Sequence, residues 1–98
     1  MSYVHKLEED ARLCILKELS FQVDGRLNEI ALMRVLDAFG ITRPREWVRT
    51  QLLALDQLGA VNVSEAGTVM IASLTKLGRN HVERRAIVDG VARPSDED

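Results

Sequence analysis

The sequence predicts a mainly α-helical domain that carries one small β-hairpin, an α+β fold, within a chain of 98 residues. Three observations lead to this prediction. Apolar residues recur at helical spacing in separate stretches. Two short stretches rich in β-forming residues flank a turn after residue 64, and residues typical of helix caps occur at the boundaries of the helical stretches. The length suits one domain with a modest core.

The first helix is predicted from Val4 to Leu19. One broad apolar stripe runs along it, made of Val4, Leu7, Ala11, Cys14, Ile15 and Leu19. On this pattern Cys14 is a small buried hydrophobe, and one cysteine cannot form an internal disulfide. Leu13 and Leu16 fall outside the stripe, and a second apolar patch of this kind predicts contact with another element or a partner chain.

Turn and capping residues place the next two helices. Asp24-Gly25 marks a turn, Arg26-Leu27 a very short strand, and Asn28 the N-cap of a helix over 29–39 that ends at Gly40. Thr42 or Arg43 then caps a third helix with Pro44 at its first position, which runs to Leu58 and stops at Gly59. Its core face is predicted to comprise Val48, Leu52, Leu55 and Leu58.

A hairpin and a last helix complete the domain. Residues 60–64 and 69–74 read as strands joined by a turn over 65–68, and Thr75 caps a helix that reaches Ile87. The resulting order is helix, short strand, helix, helix, two hairpin strands, helix, which is that of a winged helix-turn-helix with the hairpin as its wing. We therefore expect this domain over residues 1–88 and a flexible acidic tail over 89–98.

Two short motifs resemble those of winged-helix transcription regulators. Val48-Arg49 with Leu52, Leu55, Gly59 and Val61 resembles the passage from recognition helix to wing, and Leu74-Thr75 with Gly78-Arg79 resembles the start of the helix after the wing. Over nearly its whole length the chain also resembles a family of small Mu-like phage and prophage proteins, often labelled uncharacterised or ArsR-like. Residues 9–16 and 90–94 carry that resemblance together with the motifs above. It implies the fold and a phage origin, without an assigned activity.

Composition narrows the function classes. The chain has no apolar run long enough for a membrane span and no signal peptide, so we expect it in the cytoplasm of the bacterial host. A single cysteine with distant His5 and His81 lacks the converging ligands of a thiolate metal sensor, so no metal is expected. No nucleophile–base set, phosphate-binding glycine loop or paired carboxylates occur, which predicts neither an enzyme nor a cofactor.

Charge and helix geometry point to DNA as the first candidate partner. The net charge is -2, but residues 43–95 carry eight basic and five acidic side chains. A recognition helix over about 44–58 would present a set of polar residues to double-stranded DNA, with Arg49 and Thr50 as base contacts and Arg43 and Arg45 as phosphate contacts. Gln57 completes that set, and Lys76 and Arg79 are candidates for a second phosphate contact.

Other features favour a second hypothesis. The expected wing tip at 65–68 has no lysine or arginine, and Leu53 lies on the face that should be exposed. These features are typical of a winged-helix protein–protein interaction module, here an accessory to phage assembly or DNA packaging. For the DNA-binding regulator we expect a homodimer whose interface includes Leu13, Leu16, Val82, Ala86 and Ile87. Trp47 is expected to pack on the core rather than stack on a base.

Overall fold

The computed structural model describes residues 3–95. Within them lie four helices and one three-stranded antiparallel sheet of order β1-β3-β2, which confirms the α+β class and the predicted element order. The elements are α1 (Tyr3–Ser20), β1 (Arg26–Asn28), α2 (Glu29–Ala38), α3 (Arg45–Gln57), β2 (Val61–Ala66), β3 (Val69–Leu74) and α4 (Lys76–Val82).

Three of the predicted caps are confirmed. The Asn28 side chain accepts from the Ala31 N–H at 2.9 Å, and Thr75 Oγ1 accepts from the Gly78 N–H at 3.1 Å. Gly40, with φ 86°, ends α2 in the left-handed region where a glycine costs least. The predicted cap of the third helix is wrong, because Pro44 itself is the N-cap, with extended backbone and no side-chain cap hydrogen bond.

The β2–β3 hairpin is tighter than expected. Val61 pairs with Leu74 and Ala66 pairs with Val69, which leaves a two-residue loop of Gly67 and Thr68. Gly67 has φ 64°, a conformation that two-residue hairpin loops require. β1 pairs with the other edge of β3, so the hairpin extends a small sheet that packs against α2 and α3.

The core face of α1 lies further round the helix than the predicted stripe. Ala11, Ile15, Leu16 and Leu19 are fully buried, because α1 packs against α2, α3, α4 and β3 at once. The assignment of Leu16 to a dimer interface is therefore wrong. Leu13 and Cys14 lie at the edge of the core and are half-buried.

The chain after α4 also departs from the prediction. The helix ends at Val82, so Ala86 and Ile87 lie beyond it, and Arg84 adopts a left-handed φ of 63°. Part of the expected flexible tail over 89–98 packs on the domain instead, because Val91 is buried and the Ala92 N–H donates to the Glu9 carbonyl of α1 at 3.1 Å. The acidic end at 96–98 lies outside the described residues.

His81 holds this C-terminal segment in place. Its ring is buried; Nδ1 accepts from the Val88 N–H at 3.0 Å, and Nε2 lies 2.9 Å from the Ala92 carbonyl oxygen. With Nδ1 as an acceptor, Nε2 is the ring nitrogen that can donate a hydrogen bond to that carbonyl. Arg12 of α1 makes a second contact with the C-terminal segment by donating to the Gly90 carbonyl at 3.0 Å.

Candidate functional site

A buried carboxylate at the start of α2 organises the surface where α3 meets the hairpin. Glu29 has no exposed surface, and its Oε1 atom accepts from the Nε atoms of Arg45 and Arg49, each at 2.7 Å. Its Oε2 atom accepts from their Nη2 atoms at 3.3 and 2.9 Å and from the Met70 N–H at 2.5 Å. One carboxylate thus connects α2, α3 and β3.

The hairpin loop closes the same cluster. The Thr68 carbonyl oxygen accepts from Nη2 of Arg45 at 2.9 Å and from Nη2 of Arg49 at 2.5 Å. Because Arg45 and Arg49 are one helical turn apart on α3, both guanidinium groups reach the same acceptors. The α3 N-terminal half and the hairpin tip are therefore held in one fixed relation.

The hydrogen bonds also set the protonation of the cluster. The guanidinium of Arg49 first, and that of Arg45 next, hold the pKa of the Glu29 carboxyl far below its usual range, against the opposing effect of burial. The hydrogen bond to Glu29 raises the pKa values of Arg45 and Arg49. All three groups are charged at neutral pH, and together they carry one net positive charge.

The structure gives Arg45 and Arg49 a different place from the predicted one. We expected both side chains to be turned outward to DNA, but each points its Nε and Nη2 edge at Glu29, which leaves the side chains 39% and 24% exposed. Because Arg49 is held by Glu29, its side chain is not free to read a base. Each retains its Nη1 group, and within residues 3–95 neither Nη1 group donates to a protein acceptor.

The remaining residues of the candidate set divide between the two ends of α3. Arg43, Thr50 and Gln57 are exposed, and the Arg43 guanidinium lies 5.9 Å from the centre of the Trp47 ring. Trp47 itself packs against the core as predicted. Arg43 and the Glu29 cluster are at the N-terminal end of α3, while Gln57 is at its C-terminal end.

Lys76 and Arg79 do not join this surface. Thr75 Oγ1 donates to the Gly59 carbonyl at 2.7 Å, so α4 begins beside the C-terminal end of α3. Arg79 lies near Gly25, before β1. α3 has 13 residues and is about 20 Å long. The predicted second phosphate contact is therefore a helix length away from Arg43 and the hairpin tip.

The acidic neighbours moderate the charge of the site. A shallow polar cleft beside the cluster is lined by Arg45, Arg49, Thr68 and Gly67, together with Glu46 and Glu65. The two glutamates offset the surplus positive charge of the arginines, so the cleft offers hydrogen-bond donors in fixed positions rather than a strong positive field.

Sequence reasoning missed Glu29 as a site residue. A glutamate directly after an N-cap is adequately explained by the helix dipole, so its position carried no sign of a buried role. The only available signal was the pair of arginines at positions 45 and 49, four residues apart, which would need a common acceptor if they were held against the protein.

Among residues 3–95 there is no group of three histidine, cysteine, aspartate or glutamate side chains placed to hold a metal ion. In the same residues no helix combines the length and apolar character needed to cross a membrane.

Comparison with known proteins places the chain in a phage family. No family model and no solved structure matches it. It is 38% identical over 88 residues to the protein named "Uncharacterized protein gp26" of Escherichia phage Mu, an alignment that covers 90% of this chain and 91% of that protein. This agrees with the Mu-like phage resemblance noted in the sequence. With that identity over nearly the full length of both chains, the protein belongs to the gp26 family of Mu-type phage proteins.

Proposed function

We propose that this phage protein is a winged-helix DNA-binding protein of the transcription-regulator type. In this proposal α3 is the recognition helix, its N-terminal half enters the major groove, and the β2–β3 hairpin is the wing. The order of helices and strands and the antiparallel hairpin directly after α3 support this assignment. The short link between α2 and α3 is also what a helix-turn-helix requires.

The observation that carries the proposal is the Glu29 cluster. Arg45 and Arg49 are fixed at the junction of recognition helix and wing, and each keeps an Nη1 group with two N–H donors directed away from Glu29. Because these side chains are already ordered, binding a phosphate oxygen there costs little side-chain entropy. We assign them to backbone phosphate, as a pair, rather than to a base.

Base contact then falls to the exposed residues on the outer face of α3. Thr50 lies one turn after Glu46, to whose carbonyl its hydroxyl donates at 3.0 Å, and that hydroxyl retains acceptor capacity. Arg43 precedes the helix and is exposed, where it can reach a guanine edge or a phosphate. The proposal thus exchanges the roles expected for Arg43 and Arg49.

The test is equilibrium binding of the full chain to random-sequence and phage-derived duplexes over a range of salt concentrations. We expect affinity to fall with rising salt, and Arg43→Ala to weaken binding to the preferred duplex about tenfold and to reduce its preference over random sequence. Lys76→Ala is the matched control, because that residue lies at the other end of α3 and its removal is expected to leave affinity unchanged. Absence of binding to any duplex at low salt would disprove the proposal.

A second function is favoured by one specific observation. Leu53 is 47% exposed on the outer face of α3, and the hairpin from 61 to 74 has Glu65 as its sole charged side chain. An α3 surface of this kind suits a protein partner in phage assembly or DNA packaging. The test is whether a phage protein is recovered together with this chain after nuclease treatment. If it is, and if Leu53→Glu abolishes the recovery, a protein partner replaces DNA as the assigned ligand.

A further inference from the structure

A groove runs along α1 beside its core face, where Leu13 and Cys14 line it. Its volume is about 560 Å³, and it follows the helix from Tyr3 to the turn at Phe21, with Phe39 and Ile41 of the segment after α2 forming the second wall. Three aromatic side chains are strongly exposed there: Tyr3 at 73%, Phe21 at 73% and Phe39 at 69%. An exposed cluster of large aromatics on a small domain marks a contact surface.

The apolar residues of α1 in this groove have a regular spacing. Tyr3, Leu7 and Cys14 of α1 and Phe21 directly after it stand at intervals of four, seven and seven residues, and Asp10 and Lys17 occupy the positions between them, so together they follow the spacing of a helix seam that packs against another helix. α1 has 18 residues, so this seam is about 27 Å long. A helix is therefore the shape of occupant that the groove fits.

The charges of the side chains that line the groove indicate what kind of helix it accepts. Lys6, Asp10, Lys17 and Glu18 line it, giving two positive and two negative side chains and no net charge. A partner of strong single-sign charge would gain nothing from such a surface. Lys6 near the beginning of the seam and Glu18 near its end are complementary to each other when one copy is reversed against another.

We propose that the occupant is α1 of a second copy of this chain, packed antiparallel across a two-fold axis near the middle of the seam. Lys6 of each copy then lies opposite Glu18 of the other, and Tyr3 opposite Phe21, so each contact is made twice. In the same register Lys17 of one copy lies opposite Leu7 of the other, and Asp10 lies opposite Cys14. A parallel pair would instead place Lys6 against Lys6 and Asp10 against Asp10.

The available surface is sufficient for a modest dimer. The three aromatics of one copy expose on the order of 400 Å². With both copies and the flanking aliphatic stems, the interface reaches roughly 1,200 Å², the lower end for specific association. Because this area is at the lower end for specific association, we expect a weak dimer. This inference is independent of DNA binding, because the groove includes no residue of α3.

The experiment is sedimentation equilibrium of the full chain across the micromolar range. We expect a concentration-dependent mass that rises from 11.0 kDa to twice that value. Phe21→Glu, at an exposed position outside the core, is expected to weaken dimerisation at least about a hundredfold. Leu77→Glu is the matched control, since Leu77 is 39% exposed on α4 and does not line the groove, so dimerisation of this variant should be unchanged.

A charge exchange tests the antiparallel register. Lys6→Glu alone and Glu18→Lys alone are each expected to weaken the dimer about tenfold, and the double variant is expected to recover most of that loss. Lys6 also lies 3.7 Å from Asp10 of its own helix, but loss of that pair would not be restored by the second substitution. A monomer at every concentration, a dimer indifferent to Phe21→Glu, or failure of the double variant to recover would each overturn the proposal.

Discussion

At the scale of single residues, Glu29 shows how a charge can be kept inside a small core. Removing a carboxylate from water is costly, and only close partners offset that cost. Here both oxygens are filled by two guanidinium groups and a backbone N–H. The arginines remain partly exposed, so their own desolvation is small. The cluster therefore stabilises a specific placement of α3 and the hairpin more than it stabilises the fold by burial.

Glu29→Gln is expected to lower the free energy of unfolding by about 3 kcal/mol at neutral pH. The amide retains the volume of the carboxyl but brings an N–H₂ group against arginine donors. Chemical denaturation followed by circular dichroism measures the loss. Glu46→Gln, an exposed glutamate beside the same arginines, is the matched control and should change stability by less than about 0.5 kcal/mol.

The same substitution should also alter the acid dependence of stability. Because the pKa of Glu29 is lowered in the folded state, its contribution is complete above its unfolded pKa near 4.3 and is lost as the pH falls further. The difference in stability between wild type and Glu29→Gln is therefore expected to shrink between about pH 5 and pH 2. A difference that stays constant over this interval would contradict the assigned ion pairs.

At the scale of elements, local chemistry was predicted more reliably than the orientation of faces. Asn28, Gly40 and Thr75 mark helix ends by their own side chains or backbone freedom, and all three lie where the sequence places them. The rotation of α1 was predicted wrongly, since Leu16 is buried by elements distant in sequence. The periodicity of a sequence indicates how wide the apolar face of a helix is. The elements packed around the helix decide which residues of that face are buried.

The C-terminal segment and the arginine cluster were missed for a related reason. Gly90, Pro94 and the acidic end suggest a tail, and the burial of Val91 depends on His81 and Arg12, which lie outside that segment. In the same way, the sequence alone suggests that Arg45 and Arg49 are surface cations. Their partner Glu29 lies 16 and 20 residues earlier in the chain, and only the fold brings it into contact with them. Contacts between residues this far apart in the chain produce no periodic pattern in the sequence.

The junction between the hairpin and α4 depends on one glycine. A Cβ atom at Gly78 would lie 2.2 Å from the Ala60 carbonyl oxygen and 2.8 Å from a Leu74 methyl carbon. Gly78→Ala is thus expected to lower the free energy of unfolding by about 3 kcal/mol or more. Gly40→Ala meets no atom within 4 Å and carries only the left-handed backbone cost of about 1 kcal/mol. Equal losses in thermal or chemical unfolding would show that α4 does not pack as described.

At the scale of the whole molecule, the two proposed surfaces are separate. The groove follows α1 and the segment after α2, whereas the surface proposed to bind DNA comprises the N-terminal half of α3 and the hairpin tip. A net charge of -2 gives little general attraction to nucleic acid, so affinity must come from a few fixed contacts. Doubling those contacts through a dimer is the economical way to raise affinity above non-specific binding.

This separation leads to a final expectation that links both proposals. Phe21→Glu removes the dimer contact without touching α3, so the monomeric variant should still bind DNA but with about half the salt slope of the wild type, because half as many phosphates are neutralised. Arg43→Ala should show the reverse pattern, with weaker DNA binding and unchanged dimerisation. Titrations of both variants with one duplex, alongside sedimentation, measure the two effects. A Phe21→Glu variant with an unchanged salt slope would show that one copy alone makes every phosphate contact.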